Sequence, residues 1–237
     1  MRIVRFLSRL LFSRRRRLRA LGFYRQFVPP GGLCFDVGAN MGNRTDLFLR
    51  LGARVVAVEP HDLCLDVLRK RFGDRVEIVD AALGPAVGVA DLLVTSAHSL
   101  SSLSPEWTDA VRESGRFSEF TWDRTERVDV TTLDELIARW GVPDLCKIDV
   151  EGYEQEVLEG LSQPVGAISF EFTVERLESR LASVRRLDAL GMRQFNYSSE
   201  ESMRLQWERW VGVDEIVAFL RRPAHTAGTF GDVYARL

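Results

Sequence analysis

The chain has 237 residues, 46% of them hydrophobic, which suits the core of one large α/β domain better than two small ones. Its net charge is −2, but residues 1–35 hold nine arginines and no acid, which leaves 23 basic against 34 acidic side chains in the remainder. An acidic body argues against a nucleic-acid binder, whose basic residues line a face of the folded domain. Three cysteines without a CxxC spacing indicate neither a disulfide framework nor a zinc site, and they favour a reducing cytoplasm.

Residues 1–28 are predicted to form a basic amphipathic helix, because their first apolar residues share one helical face and arginines occupy the other. Those apolar residues are Ile3, Phe6, Leu7, Leu10 and Leu11. The longest apolar run, residues 10–12, is far short of the ~20 residues of a membrane span. Two interpretations stay open: peripheral contact with the anionic inner face of a membrane, or a helix that packs on the domain.

The body, residues 29–237, is predicted to be one domain that begins at a Pro-Pro-Gly-Gly linker. Its strand patterns fall at residues 33–37, 54–58, 76–79, 145–150 and 167–172. Helix patterns fall at residues 43–51, 62–72, 132–140, 153–161 and 174–190, and Thr132 with Glu135 predicts a capping box. Alternation of this kind implies parallel pairing with right-handed crossovers, hence a doubly wound, Rossmann-like sheet.

Two segments depart from that alternation. Residues 87–95 and 127–131 are predicted to pair antiparallel around a long polar insertion, residues 96–123. Its aromatic side chains either stack on a ligand or anchor the loop on the core; they are Trp107, Phe117, Phe120 and Trp122. At the end of the chain, strands at residues 192–197 and 229–237 flank a helix at 214–222.

The stretch CFDVGANMGNRT, residues 34–45, reads as a strand, a glycine turn and the start of a helix. Glycine allows positive φ and close approach of a ligand, and the N–H groups of the new helix point into the same space. The turn is therefore predicted to hold a small charged ligand, although a simple link between strand and helix is the alternative.

Acidic residues end nearly every predicted strand, at the edge where doubly wound sheets bind ligands. Glu59 lies 21 residues after Gly38, the interval at which an acid takes the ribose hydroxyls of an adenosine cofactor. The dinucleotide fingerprint GxGxxG is absent. Asp36 would repel a pyrophosphate but could pair with the ammonium of a methionine group, so S-adenosylmethionine is favoured over a nicotinamide dinucleotide.

With these residues in place, the chain resembles the FkbM-type methyltransferase family. The resemblance covers roughly residues 33–172 through DVGANMGNRT, VVAVEP, VDAALG, SLSSL, TTLDEL, KIDVEGYEQEVLEG and SFEF, and the closing GDVYARL is also similar. It implies a seven-stranded class I methyltransferase sheet with an antiparallel last strand. It also implies methyl transfer from S-adenosylmethionine to oxygen, commonly a hydroxyl of a sugar, polyketide or lipid-linked glycan.

By position, the resemblance assigns nine residues to the cofactor site. Those at or beside the methionine end are Asp36, Gly38, Asn40, Gly42 and Thr45. Glu59, followed by Pro60, would hold the ribose, and Asp80 with Ala81 would border the adenine.

Transfer to a hydroxyl needs a base, since an alcohol holds its proton about as tightly as water, with a pKa near ~16. The predicted base is Asp149 or Glu151 at the end of the fourth strand, with His98 in the serine-rich loop as a rival. Lys147 lies on the same side of the predicted strand as Asp149 and Glu151, so its charge could reduce the repulsion between these carboxylates. The alternative is that Lys147 only pairs with Glu151 and closes the end of the strand. Glu171 would orient substrate or base; the alternative, which our prediction does not adopt, is a divalent cation held by the three carboxylates.

The leading hypothesis is a cytoplasmic S-adenosylmethionine-dependent O-methyltransferase acting on a sugar, glycan, glycolipid or polyketide-type hydroxyl. A nicotinamide-dependent reductase is the first alternative, weakened because no tyrosine is followed by lysine four residues later. The second alternative is a non-catalytic, cofactor-binding adaptor.

Overall fold

The structure is a computed structural model and describes residues 14–95, 100–115, 117–173, 176–222 and 230–237. Its α-helices are α1 (Arg14–Tyr24), α2 (Asn43–Arg50), α3 (Asp62–Phe72), α4 (Pro105–Glu113), α5 (Leu133–Trp140), α6 (Glu154–Glu159), α7 (Leu177–Ala189) and α8 (Val213–Leu220). Its strands are β1 (Leu33–Val37), β2 (Arg54–Val58), β3 (Glu77–Val79), β4 (Ala82–Leu83), β5 (Gly88–Thr95), β6 (Trp122–Thr131), β7 (Leu145–Ile148), β8 (Ala167–Thr173), β9 (Gln194–Ser199) and β10 (Phe230–Arg236).

Within the described residues, seven strands form one sheet in the order β3-β2-β1-β7-β8-β10-β9. The first five pair in parallel, whereas β10 runs antiparallel to both β8 and β9. This confirms the predicted mostly parallel, seven-stranded class I methyltransferase sheet with an antiparallel last strand. The chain leaves β1 toward one edge of the sheet and β7 toward the other, so the point between them is where such sheets bind ligands.

Helices cover both faces of this sheet, because side chains alternate along each strand. In β1, Leu33 and Phe35 pack in the cluster that includes α5, α6, α7 and α8, while Cys34 packs in the one that includes α1, α2 and α3. All five residues of β1 are buried, which explains its continuous apolar run. Asp36 is the exception in that run and is only 2% exposed.

A second, three-stranded sheet has the order β4-β6-β5, and β5 pairs with β6 antiparallel as predicted. The insertion between them contains α4, which Ser104 caps by accepting the Trp107 N–H. Trp107 is fully buried and meets Trp122 edge to face at 6.0 Å. Trp107 also lies against Gly152, beyond β7, and so anchors the insertion beside the main sheet.

The described part of the N-terminal segment begins with α1, whose later residues are built into the core. Phe23 and Tyr24 are buried, and the Phe27 ring stacks on that of Tyr234 at 5.2 Å. Most of the predicted apolar face falls in residues 1–13, outside the described residues, so membrane contact and a division at residue 28 stay predictions. No helix among the described residues is long and apolar enough to span a membrane.

Most element bounds lie within three residues of the predictions, but β6 begins at Trp122, five residues before its predicted start at residue 127. Two further differences have local causes. The fourth predicted strand, β7, ends at Ile148 rather than at residue 150, because the Val150 N–H donates to the Glu154 side chain instead of a neighbouring strand. Glu151 and Gly152 then have φ of 53° and 90°, which a strand cannot accommodate. Helix α5 starts at Leu133 because Thr132 is its cap: the Thr132 Oγ1 accepts the Glu135 N–H at 3.1 Å, as the capping box predicts.

Candidate active site

A cleft of about 980 Å³ opens at the carboxyl ends of the parallel strands. Its lining includes Gly38 after β1, Glu59 after β2, Ala81 after β3 and Asp149 after β7. The volume lies at the upper end of the ~300–1,000 Å³ found for pockets that hold one drug-sized ligand. The cleft is therefore large enough for a cofactor-sized ligand.

The turn after β1 forms part of the cleft lining, and its backbone lies against the end of β7. Gly38 has φ of 75°, and a Cβ there would lie 1.9 Å from the Asp149 carbonyl oxygen. Only glycine allows this close approach. Asn40 also has a positive φ, and its N–H donates to Glu59 Oε2 at 2.7 Å, which joins the turn to the end of β2.

Glu59 is 7% exposed and lines the cleft, as does Pro60. Besides Asn40, the His61 N–H donates to its carboxylate, at 3.0 Å. Burial raises the pKa of Glu59 to about 7, against the opposing effect of these two donors. The carboxyl group is therefore fixed in position and titrates near neutrality.

Four of the nine predicted cofactor residues do not line the cleft, and three of them lie at or beside the turn after β1. Asp36 and Thr45 are buried behind the turn, where the Thr45 hydroxyl donates to the Asp36 carboxylate, and burial raises the pKa of Asp36. Gly42 precedes α2 and packs against the Phe72 ring.

The residues predicted at the adenine are separated in the structure. Ala81 is buried and lines the cleft, whereas the Asp80 side chain is exposed and pairs with Arg69 at 2.9 Å. Asp80 therefore lies outside the cleft lining.

The predicted catalytic carboxylates come together in the cleft. Oxygen atoms of Asp149, Glu151 and Glu171 lie within 4.8 Å of one another, and each side chain is half-buried. Burial, followed by repulsion from Asp149 and Glu151, raises the pKa of Glu171 well above its ordinary value. These surroundings therefore favour the protonated form of Glu171, in which the carboxyl group can donate a hydrogen bond.

Lys147 lies beneath this cluster and is 1% exposed. Its ammonium pairs with Asp149 at 3.2 Å and Asp232 at 3.1 Å, and it donates to the Ile148 carbonyl at 3.0 Å. Burial lowers the pKa of Lys147, but the two carboxylates outweigh this and raise it well above its ordinary value. The alternative prediction of a pair with Glu151 is thus replaced by pairs with Asp149 and Asp232.

Side chains on both sides hold the turn after β7. The Val150 and Gly152 N–H groups donate to Glu154 Oε1, both at 3.2 Å, and burial raises the pKa of Glu154 to about 7. From the insertion, the Ser102 hydroxyl donates to the Glu151 carbonyl at 2.6 Å. The carboxylates of this turn therefore stand on a fixed backbone.

Several residues in or beside the cleft were not predicted from the sequence. Asp232 stands within GDVYARL without a pattern that assigns it a role, and Arg44 follows the glycine turn without a recognisable signal. Arg16 and Arg19 also line the cleft, although the sequence indicated only a basic helix. The rival base, His98, lies outside the described residues.

The described residues fit an adenosine-type cofactor. Glu59 uses two of the roughly four acceptor positions of a carboxylate for backbone N–H groups, which leaves capacity for ribose hydroxyls. Val58, Ala81 and Leu83 add apolar lining, and Gly38 presents no side chain.

The strand order and this cleft define a class I methyltransferase. The sequence model of the methyltransferase FkbM domain matches residues 36–222. Because the match spans most of the chain, the protein belongs to this family of S-adenosylmethionine-dependent methyltransferases.

Among solved structures, the chain is similar to a precorrin-6y C5,15-methyltransferase from Geobacter metallireducens GS-15, with 12% identity, a TM-score of 0.48 and coverage of 95% of this chain and 89% of the other. It is also similar to the O-methyltransferase from Bacillus cereus in complex with SAH, with 16% identity, a TM-score of 0.42 and coverage of 96% and 82%. These TM-scores lie below 0.5, so the assignment rests on the family match and the strand order. Curated protein sequences gave no match.

Proposed function

We propose that the protein transfers a methyl group from S-adenosylmethionine to a hydroxyl oxygen of a sugar, glycan, glycolipid or polyketide-type acceptor. The observation that carries this proposal is Asp149, which lines the cleft and is held by the buried Lys147 at 3.2 Å. An alcohol becomes a good nucleophile only as its proton leaves, whereas a neutral amine already has a free electron pair. A fixed carboxylate therefore suits a hydroxyl acceptor.

Residues of the first two strand ends would hold the cofactor. The Glu59 carboxylate would accept hydrogen bonds from the ribose hydroxyls. The backbone from Gly38 to Asn40 would border the methionine part of the cofactor, and Ala81 would border the adenine. When bound, S-adenosylmethionine supplies a methyl group on a positively charged sulfur.

Asp149 would accept the proton of the acceptor hydroxyl, because Lys147 fixes the position of its carboxylate. Glu171, whose raised pKa favours the protonated form, would donate a hydrogen bond that orients the acceptor. Glu151 stays the second candidate for the base. Such a base contributes ~10²–10⁴ in rate, whereas alignment of the two reactants can remove ~7–11 kcal/mol of barrier, so holding the acceptor is the larger task.

The alternative use of this cluster is a divalent cation. Asp149, Glu151 and Glu171 offer the oxygen ligands that Mg²⁺ and Ca²⁺ take. Assays with EDTA and with added Mg²⁺ separate the two: activity that survives EDTA supports the metal-free base.

The test uses S-adenosylmethionine with a ¹³C-labelled methyl group and a panel of hydroxylated sugars, glycolipids and polyketides. We expect the label on oxygen, identified by NMR, and a loss of kcat of ~10²–10⁴ in Asp149→Asn with unchanged affinity for S-adenosylhomocysteine. The exposed Asp123→Asn is the matched control.

Label on nitrogen or carbon, or near-full activity of Asp149→Asn, would contradict the proposal. Binding of S-adenosylhomocysteine without transfer to any acceptor would favour the adaptor. Family membership leaves the reductase without support.

A further inference from the structure

Part of the cleft lining comes from elements other than the parallel strands. It includes Arg16 and Arg19 of α1, Arg44 of α2, and residues 200–203 after β9. We call this part, defined by Arg16, Arg19 and Arg44, the arginine end of the cleft.

Arg16 and Arg19 lie three residues apart on α1, so they are neighbours on one helical face, with ~5–6 Å between Cβ atoms. Two guanidinium groups at this spacing can contact one tetrahedral oxyanion, because each presents its donors in a planar fork. Arg15 and Arg25 are exposed on the same segment but do not line the cleft. Position on the helix, rather than charge alone, thus distinguishes the two pairs.

The helix that presents these arginines is fixed to the domain. Tyr24 is fully buried and meets the Phe48 ring at 5.1 Å, and Phe23 meets the Tyr234 ring at 5.3 Å. A site on an element held in this way loses little conformational entropy when it binds a ligand.

Arg44 links α1 to the segment after β9. Both Glu201 oxygens accept from its guanidinium at 2.9 Å, and the guanidinium carbon lies 5.9 Å from the centre of the Tyr24 ring. Glu201 therefore offsets the charge of Arg44, and the other charged residues of this part of the lining are Arg16, Arg19 and Glu200.

The charges of the cleft are arranged to orient an acceptor. The cluster of Asp149, Glu151 and Glu171 would repel an anion, whereas the arginine end would attract one. A phosphate monoester carries about −1.5 to −2 charges at pH 7, which matches two guanidinium groups better than a single carboxylate does.

We propose that the acceptor carries a phosphate group, which Arg16 and Arg19 bind while its hydroxyl lies at Asp149. This rests on the proposed methyl transfer and specifies its substrate class. The phosphate belongs either to a soluble phosphorylated glycan or to a lipid headgroup, and both share the chemistry that the arginines recognise.

The test is calorimetry of inorganic pyrophosphate binding to protein saturated with S-adenosylhomocysteine. We expect Arg16→Gln/Arg19→Gln to bind pyrophosphate about tenfold or more weakly, since charged hydrogen bonds are lost. The matched control, Arg15→Gln/Arg25→Gln, removes the same charge from the same segment and should change the affinity less than about twofold, as expected for surface charges.

Competition with vesicles distinguishes the sources of phosphate. Displacement of pyrophosphate by vesicles of phosphatidic acid, whose headgroup is a phosphate monoester, but not by phosphatidylcholine vesicles, supports a lipid headgroup, and absence of displacement supports a soluble phosphate. Equal losses in the two double variants, or no pyrophosphate binding by the wild type, overturn the proposal. Failure to bind S-adenosylhomocysteine would instead count against the proposed methyl transfer.

Discussion

The turns after β1 and β7 meet in the cleft, but they hold their backbones in different ways. The first uses Gly38 at φ 75°, and its N–H donates to the Val58 carbonyl. The second places Glu151 at φ 53°, where a residue with a side chain costs ~1–2 kcal/mol, and fastens the turn through Glu154 and Ser102. In the first turn the fastening carboxylate, Glu59, itself lines the cleft, whereas in the second turn the cleft carboxylate, Glu151, stands on a backbone that other side chains fasten.

The strongest way to break the second turn is to remove its buried charge. Lys147→Met leaves Asp149 and the buried Asp232 without their cation, so we expect the free energy of unfolding to fall by ~3–5 kcal/mol. Lys70, the other lysine of the chain, is exposed, and Lys70→Met should change the free energy of unfolding by no more than ~0.5 kcal/mol. Urea unfolding at pH 7 measures both, and equal effects would show that the buried ammonium does not support the turn.

The first turn should fail for steric reasons. In Gly38→Ala the new Cβ meets the Asp149 carbonyl oxygen at 1.9 Å, in addition to the strain of a positive φ. Gly52 has φ of 85°, and a Cβ there would have no atom within 4 Å, so Gly52→Ala carries the strain alone. We expect Gly38→Ala to lose ~2–3 kcal/mol more than Gly52→Ala in urea unfolding. Similar losses would mean that the two turns are not in close contact.

The support of the second turn should depend on pH. Burial raises the pKa of Glu154 to about 7, above the ~4.3 of an unfolded chain, so the folded state binds the proton more tightly. The stabilisation of the folded state by this tighter proton binding is complete below about pH 4 and is lost as pH rises through 7. Relative to Glu154→Gln, the wild type should therefore lose ~3 kcal/mol of stability between pH 4 and pH 7.

Urea unfolding at several pH values measures this difference. Exposed Glu113→Gln is the control, because it leaves the buried turn intact. A wild-type stability that rises against Glu154→Gln over this range would contradict the prediction.

The first turn should show its pH dependence in cofactor binding rather than in stability alone. Because burial raises the pKa of Glu59 to about 7, the fraction of ionised carboxylate rises from pH 6 to pH 8. We expect the affinity for S-adenosylhomocysteine to increase up to ~tenfold over this range, and to stay low and flat in Glu59→Gln. Calorimetry tests this, with the exposed Glu77→Gln as control. If the affinity of the wild type does not change with pH, Glu59 does not bind the ribose.

Local sequence patterns predicted most of the fold. The apolar runs of β1 and β2 predicted both strands with the observed bounds. A strand that is buried on both faces is a continuous apolar run, which can be read from the local sequence without knowledge of the neighbouring strands. The end of β7 was missed by two residues, because a positive φ at a glutamate has no signature in sequence.

The candidate site was less predictable, because it depends on contacts between distant elements. Gly38 and Glu59 follow their strands directly and reach the cleft, as their spacing indicated. The pairing of Lys147 with Asp232 joins strands separated by β8, and α1 brings Arg16 to the cleft by packing on the sheet. Neither follows from local periodicity, which carries no information on which strands become neighbours.

We expect the smallest effect on cofactor binding from Asp80, the residue that follows β3. Asp80 follows β3 at the same edge as the two turns, but its carboxylate is exposed and pairs with Arg69. Such a surface pair contributes ~0–1 kcal/mol, so Asp80→Asn should change the affinity for S-adenosylhomocysteine less than about twofold. A loss of about tenfold in calorimetry, with unchanged stability, would instead support the residue's predicted place beside the adenine and would require the Arg69 pair to open when the cofactor binds.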